Sequence, residues 1–172
     1  MSLTTGIGLG AQNGILIRSG DALQAAQKLN AVVLDKTGTI TVGKPSLTDM
    51  VLVKGQPEAD LLRLAASVER SSEHPLAQAI VEGAQARGLT PLDVQAFEAV
   101  PGHGVVATVD GRQVLIGNLK LMQREQIDLG DLAARSQALA DDGKTPMFVA
   151  LDGRAAGILA VADTVKEDSQ AA

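Results

Sequence analysis

Ala31-Val32-Val33-Leu34-Asp35-Lys36-Thr37-Gly38-Thr39-Ile40-Thr41 is the stretch on which the fold turns. Four apolar residues, two of them β-branched, run into a single acid, and a turn-forming Lys-Thr-Gly-Thr follows at once. A short unbroken apolar run is the pattern of a strand covered on both faces, as in a parallel sheet with helices on each side. Periodicity alone leaves a buried helix open. The preceding residues 19–29 supply a covering helix, with Ala22, Leu23, Ala25, Ala26 and Leu29 on about one face. In such sheets the reactive crevice lies beyond the carboxyl ends of the strands, which is where Asp35 falls. Backbone N–H groups around Gly38 can form a concavity for an anion such as phosphate. An arbitrary Asp-x-x-Gly is more often a turn cap than a reactive group.

Working outward, residues 14–18 read as a short strand, so residues 1 to about 44 form a strand–helix–strand opening of an α/β domain. Gly6-x-Gly8-x-Gly10 has the spacing of a dinucleotide loop, but no strand precedes it, and it reads as a flexible or helical lead-in. Met1-Ser2-Leu3 reads as an expression remnant. Gly43-Lys44-Pro45 breaks the pattern as a hinge or linker. Beyond it come a strand over 46–54, a helix from Pro57 to about Glu69, and a second helix from His74-Pro75 to Arg87-Gly88. Strands follow at 94–100, 104–109 and 112–116, the last two joined by the hairpin pair Asp110-Gly111. Helices over 118–127 and 131–140 precede a hairpin of 146–151 and 154–161 across Asp152-Gly153. Gly143-Lys144-Thr145 imitates the tail of a phosphate-binding loop, but Ala138 stands where a glycine is needed, so Gly143 reads as a helix stop. Asp163-Thr164-Val165-Lys166-Glu167 reads as a charged exit into another helix.

Composition narrows the function. At 172 residues the chain is one ordinary domain, or a small one with part of another. Its net charge of −5 with dispersed basic residues gives nucleic-acid binding no electrostatic support. Cysteine is absent, which removes disulfides and thiolate metal sites and fits a cytoplasmic setting. With no Tyr or Trp the core must be aliphatic. No apolar run approaches the roughly 20 residues that span a bilayer, so the chain is expected to be soluble.

Asp35-Lys36-Thr37-Gly38-Thr39 resembles the phosphorylation signature of the P-type ATPases. The resemblance implies that Asp35 attacks the γ-phosphate of ATP and becomes an aspartyl phosphate, with Mg²⁺ at Asp35 spreading the phosphoryl charge. Related phosphatases of the haloacid-dehalogenase fold carry a second Asp two residues after the nucleophile. Here Thr37 stands there and is a poor acid or base, so the acyl phosphate should persist.

Ser72-Glu73-His74-Pro75-Leu76-Ala77 is the second distinctive string. By itself it is as well read as a helix start, with Pro75 at the first position and His74 or Ser72 capping. A histidine there also offers a flat ring for adenine in a chain almost without aromatics. With the Asp35 string it resembles the nucleotide-binding domain of heavy-metal-pumping P-type ATPases, over essentially the whole chain. The resemblance implies an adenine-site acid at Glu69, a nucleotide-facing Gly-x-Gly at Gly102 and Gly104, and a phosphate or ribose contact at Asn118. It also implies a hinge acid at Asp163. Read singly, Glu69 is equally a surface acid and Asn118 a helix cap, and His103 is a solvated loop residue.

The implied architecture is an α+β nucleotide-binding domain, an antiparallel sheet flanked by two helical hairpins, inserted into an incomplete haloacid-dehalogenase-like phosphorylation domain. Residues 1–45 and 163–172 belong to the latter and 46–162 to the former. The implied partners are ATP and the remaining phosphorylation, actuator and membrane domains of the same pump, at the cytoplasmic face of a membrane. Cu⁺ is the implied cargo, with Zn²⁺/Cd²⁺ or a soluble haloacid-dehalogenase-type phosphatase as alternatives, and a non-catalytic nucleotide-binding module as a third. Without those domains the chain is expected to bind nucleotide modestly with little turnover. Strand edges in 1–44 are expected to be mobile or to pair with a neighbouring chain.

Overall fold

Alternation along each strand decides which core a residue enters. The computed structural model describes residues 3–72 and 74–170, and in it six strands form one antiparallel sheet. They are β1 (Thr41–Leu52), β2 (Val94–Val100), β3 (Gly104–Val109), β4 (Arg112–Gly117), β5 (Thr145–Leu151) and β6 (Arg154–Val165), ordered β1-β6-β5-β4-β3-β2. Asp110-Gly111 and Asp152-Gly153 make the two tight hairpins. All four residues have positive φ, the backbone that matches strand twist in a two-residue turn.

Helices α3 (Glu58–Glu69) and α4 (Pro75–Ala86) pack on each other and on one face of the sheet. Helices α5 (Leu119–Arg124) and α6 (Leu132–Asp141) cover the other. On β4, Val114 and Ile116 face α3 and α4 while Leu115 faces away. On β6, Leu159 and Val161 face them while Ile158 and Ala160 do not. The unbroken apolar runs of β5 and β6 are therefore strands sandwiched between two helical layers in an antiparallel sheet. Leu61, Leu62 and Ile80 are fully buried, each contributing about 1.5–3 kcal/mol by transfer from water.

The chain divides into two units, Met1–Asp35 and Lys36–Ala172. The first holds α1 (Leu3–Gln12), which contains the three early glycines, and α2 (Gly20–Ala26). Ser19 caps α2 by accepting from the Ala22 N–H at 3.2 Å. The strands expected at 14–18 and 31–35 are not formed, and Asp35 does not end a buried strand. Leu16 is 87% and Val33 97% exposed. The physical reason is the lack of a partner: among the described residues of this unit nothing offers a ladder or an opposing apolar layer, and strand preference is realised only through such neighbours. The expected remnant at Met1-Ser2 lies outside the described residues.

In the second unit the expected linker Gly43-Lys44-Pro45 is a bulge inside β1. The register moves there from Thr41↔Val165 to Pro45↔Asp163. The Asp163 carboxylate holds the bulge, accepting from the Thr41 hydroxyl and, at 2.8 Å, from the Gly43 N–H. The exit expected to lead into a helix first continues β6 to Val165. Lys166 N–H then donates to Ile40 O at 3.0 Å, and a short 3₁₀ helix, Glu167–Gln170, follows. No helix among the described residues is long and apolar enough to cross a membrane.

Candidate functional site

Helical periodicity carries an acid into the interior. Glu69 is the last residue of α3 and follows Leu62, Ala65 and Ala66 on the buried stripe, so it is only 7% exposed. Among the described residues its carboxyl has no hydrogen-bond or ion-pair partner. Burial pushes it up to about 7; its place at the negative end of α3 acts in the same direction. The chain then leads into α4. His74 caps that helix with extended backbone, its Nδ1 accepting from the Leu76 N–H at 3.2 Å. The cap and the ligand reading are compatible. An accepting Nδ1 places the ring proton on Nε2 and leaves the exposed ring available.

The two glycines of the β2–β3 turn do different work. Gly102 has φ +71 and open space where a Cβ would stand. Gly104 has φ +144, and a Cβ there would lie 2.1 Å from Ile116 O and 2.6 Å from Gly117 Cα. The missing side chain at Gly104 thus admits the β4 backbone, while the residue also lines the cleft. Asn118 is likewise committed to the protein. Its Oδ1 accepts from the Lys120 and Leu121 N–H groups at 3.0 and 3.2 Å, capping α5. Its Nδ2 donates to Gly102 O at 2.8 Å, and its backbone N–H donates to His103 O at 2.9 Å. It ties the turn to the helix and keeps one amide hydrogen for other use.

Glu69, His74, Gly102, Gly104 and Asn118 border one cleft of about 420 Å³. Four separated segments meet there: the α3–α4 connection, the β2–β3 turn, the end of β4 and the start of β5. Its walls are largely apolar, with Ile116 and Met147 between the polar rims. A second cleft of about 500 Å³, lined by Leu52, Lys54, Leu129, Arg135 and Arg154 among others, contains none of these five residues. Sequence reasoning missed Thr145, Pro146 and Met147 as lining residues; the signal was a buried strand starting directly after the Gly143 helix stop. It also left His103 to solvent, whereas that side chain is half-buried on the cleft with Nδ1 donating to Pro101 O at 2.8 Å.

Asp35, Lys36 and Thr37 are not brought into this cleft. Asp35 is exposed and belongs to the first unit. Lys36–Ile40 forms an irregular turn of the second, held by Lys166 Nζ donating to Gly38 O at 2.7 Å. Among the described residues no three His, Cys, Asp or Glu side chains come together as a metal site. Asp35 by itself would offer a Mg²⁺ ion one carboxylate, the rest of its shell being water and phosphate oxygens as is usual for that ion.

A profile of the haloacid dehalogenase-like hydrolases matches residues 29–172, and the chain belongs to that family. It is 45% identical over 171 residues, 99% of its length, to the copper-exporting P-type ATPase of Bacillus subtilis (strain 168), of which it covers 21%. It thus spans about a fifth of that relative. Among solved structures it is similar to a zinc-transporting PIB-type ATPase in the E2.Pi state (TM-score 0.84, 36% identity, 97% of this chain and 27% of that one). It is similar also to the N-domain of HMA8, a copper-transporting P-type ATPase (TM-score 0.57, 28% identity, 68% of this chain and 99% of that one). The second match is to an isolated N-domain, in keeping with the six-stranded α+β architecture described above.

Proposed function

We propose that the chain binds ATP in the cleft beside His74 and carries, at Asp35, the phosphoryl acceptor of a metal-cation pump whose cargo is Cu⁺. The observation that carries this reading is the convergence of Glu69, His74, Gly102, Gly104 and Asn118 on a single apolar-walled cleft. Residues 46–162 are the nucleotide-binding domain, and 1–45 with 163–172 belong to the phosphorylation domain, with Asp163 between them. The adenine lies against the His74 imidazole with its amino edge toward Glu69, while Asn118 holds the Gly102–Gly104 rim.

In the transfer step a carboxylate oxygen of Asp35 bonds to the γ-phosphorus as the bond to the β–γ bridging oxygen breaks, and ADP leaves with that electron pair. The Lys36 ammonium offsets the added charge and the Thr37 hydroxyl hydrogen-bonds a phosphoryl oxygen. No carboxyl stands at position 37 to activate water, so the acyl phosphate outlasts its formation, which favours a pump over a phosphatase. Copper rests on the 45% identity with the Bacillus subtilis pump. The similarity to a zinc-transporting structure at 36% identity keeps Zn²⁺ as the second reading. The remaining domains of the pump are the partners, and the cytoplasmic face of its membrane the location.

Calorimetric titration with ATP, its non-hydrolysable analogue AMP-PNP and GTP tests the site. Losing a base-stacking surface removes about 1–3 kcal/mol, so His74→Ala should weaken ATP by about 5- to 100-fold. Glu69→Ala should erase the preference for adenine. Unchanged binding in both variants would remove the cleft assignment. Incubation with radiolabelled ATP tests the second part: this chain should accumulate little phosphoenzyme, because positioning supplies most of the rate in phosphoryl transfer. Labelling of Asp35 at the rate of an intact pump would overturn that expectation.

A further inference from the structure

The unusual group in the cleft is a buried acid with nothing to balance it. Glu69 lies at the C-terminal end of α3, 7% exposed, and reaches the cleft without a hydrogen-bond or ion-pair partner among the described residues. Among the described residues the other titratable side chains on the cleft are His74 at the start of α4 and His103 on the β2–β3 turn; the ends of β4 and β5 contribute none. Two cations adjacent in sequence to cleft-lining residues, Arg70 next to Glu69 and Lys144 next to Thr145, are engaged elsewhere. Arg70 pairs with Asp93 at 3.4 Å, and Lys144 with Asp49 at 2.8 Å. Among the described residues no Lys or Arg lines the cleft.

We propose that Glu69 meets adenine as a neutral carboxylic acid, its O–H donating to N1 and its carbonyl oxygen accepting from the N6 amino group, so that ionisation weakens ATP and erodes the preference for adenine over guanine. The inference rests on the proposed adenine site. A carboxylate is acceptor-only: it can take the N6 hydrogen but leaves N1 without a donor. Guanine presents two adjacent donors, N1–H and its 2-amino group, and suits the ionised form. Protonation of Glu69 therefore acts on base choice as well as affinity. With a midpoint of about 7, the competent fraction falls about 30-fold from about pH 6 to about pH 8.5. The N6 contact kept by the carboxylate trims the expected loss to about 5- to 30-fold.

The test is the ATP/GTP affinity ratio at those two pH values, measured by calorimetry; the ratio cancels the titration shared by the two triphosphates. In the parent chain it should fall at least about fivefold as pH rises. Glu69→Gln keeps one donor and one acceptor but cannot ionise, so its ratio should hold at the acid value throughout. His103→Asn should retain the parent's pH dependence. A flat ratio in the parent, with Glu69→Ala still losing adenine preference, overturns the protonation proposal and leaves the adenine contact standing. A pH dependence that persists in Glu69→Gln, or vanishes in His103→Asn, also overturns it. Equal affinities of Glu69→Ala and parent at both pH values overturn the underlying site as well.

Discussion

Gly104→Ala is expected to destabilise the chain by about 4–5 kcal/mol, at the upper end of what single substitutions do and comparable to the whole stability of a marginal domain. Two effects combine. The backbone φ of +144 is a region that L side chains rarely adopt, and the new Cβ would fall 2.1 Å from Ile116 O and 2.6 Å from Gly117 Cα. Both obstacles are backbone in the facing strand, so no side-chain rotation relieves them. Gly104 pairs directly with Gly117, and separating the two strands there also pulls the β2–β3 turn from α5, to which Asn118 binds it. Gly102→Ala, two residues away, should lose only about 1 kcal/mol, because its φ is unfavourable but its surroundings are open. Urea denaturation of both variants checks the contrast; equal losses would show that backbone freedom, not strand approach, is what the Gly-x-Gly supplies.

Glu69→Gln should act in the opposite direction and stabilise the chain by about 2 kcal/mol at about pH 8, while changing little below about pH 4. The carboxyl titrates near its ordinary 4.5 when unfolded and at about 7 when folded. Between those values the folded chain binds a proton that the unfolded chain has released. Stability therefore falls as pH rises through this window, and the loss is complete above it. At about 1.4 kcal/mol per tenfold step in proton affinity the full gap is about 3 kcal/mol, and solvent in the open cleft reduces it to about 2. The amide keeps size and polarity but cannot ionise. Denaturation at about pH 5 and about pH 8 separates the outcomes: a Gln variant less stable than the parent at both would mean that the carboxyl has a stabilising partner in the folded chain.

Two apolar runs show how far local sequence carries. Residues 31–34 and 155–162 both look like strands covered on two faces. The second is one, in an antiparallel sheet, and the first is exposed. Their composition does not distinguish them, because burial requires opposing layers that come from residues far away in the chain. The aspartyl string was legible as chemistry at once, yet its side chains are not among those lining the cleft. Asn118 was equally a cap or a contact on paper; the hydrogen bonds to Lys120, Leu121 and Gly102 show it capping a helix and bracing a turn.

Sequence by itself determined what depends on a few neighbouring residues. The Asp-Gly hairpins follow from their need for positive φ, α4 from its His-Pro start, and the succession of strands along the second unit from alternation and turns. Tertiary structure alone decided which apolar run is buried, that Glu69 enters the interior without a counter-charge among the described residues, and that four separated segments enclose one cleft. Turn geometry and helix caps are settled within a turn or two of backbone. Desolvation and cleft formation depend on what folds against a residue, and that is set by contacts between distant parts of the chain.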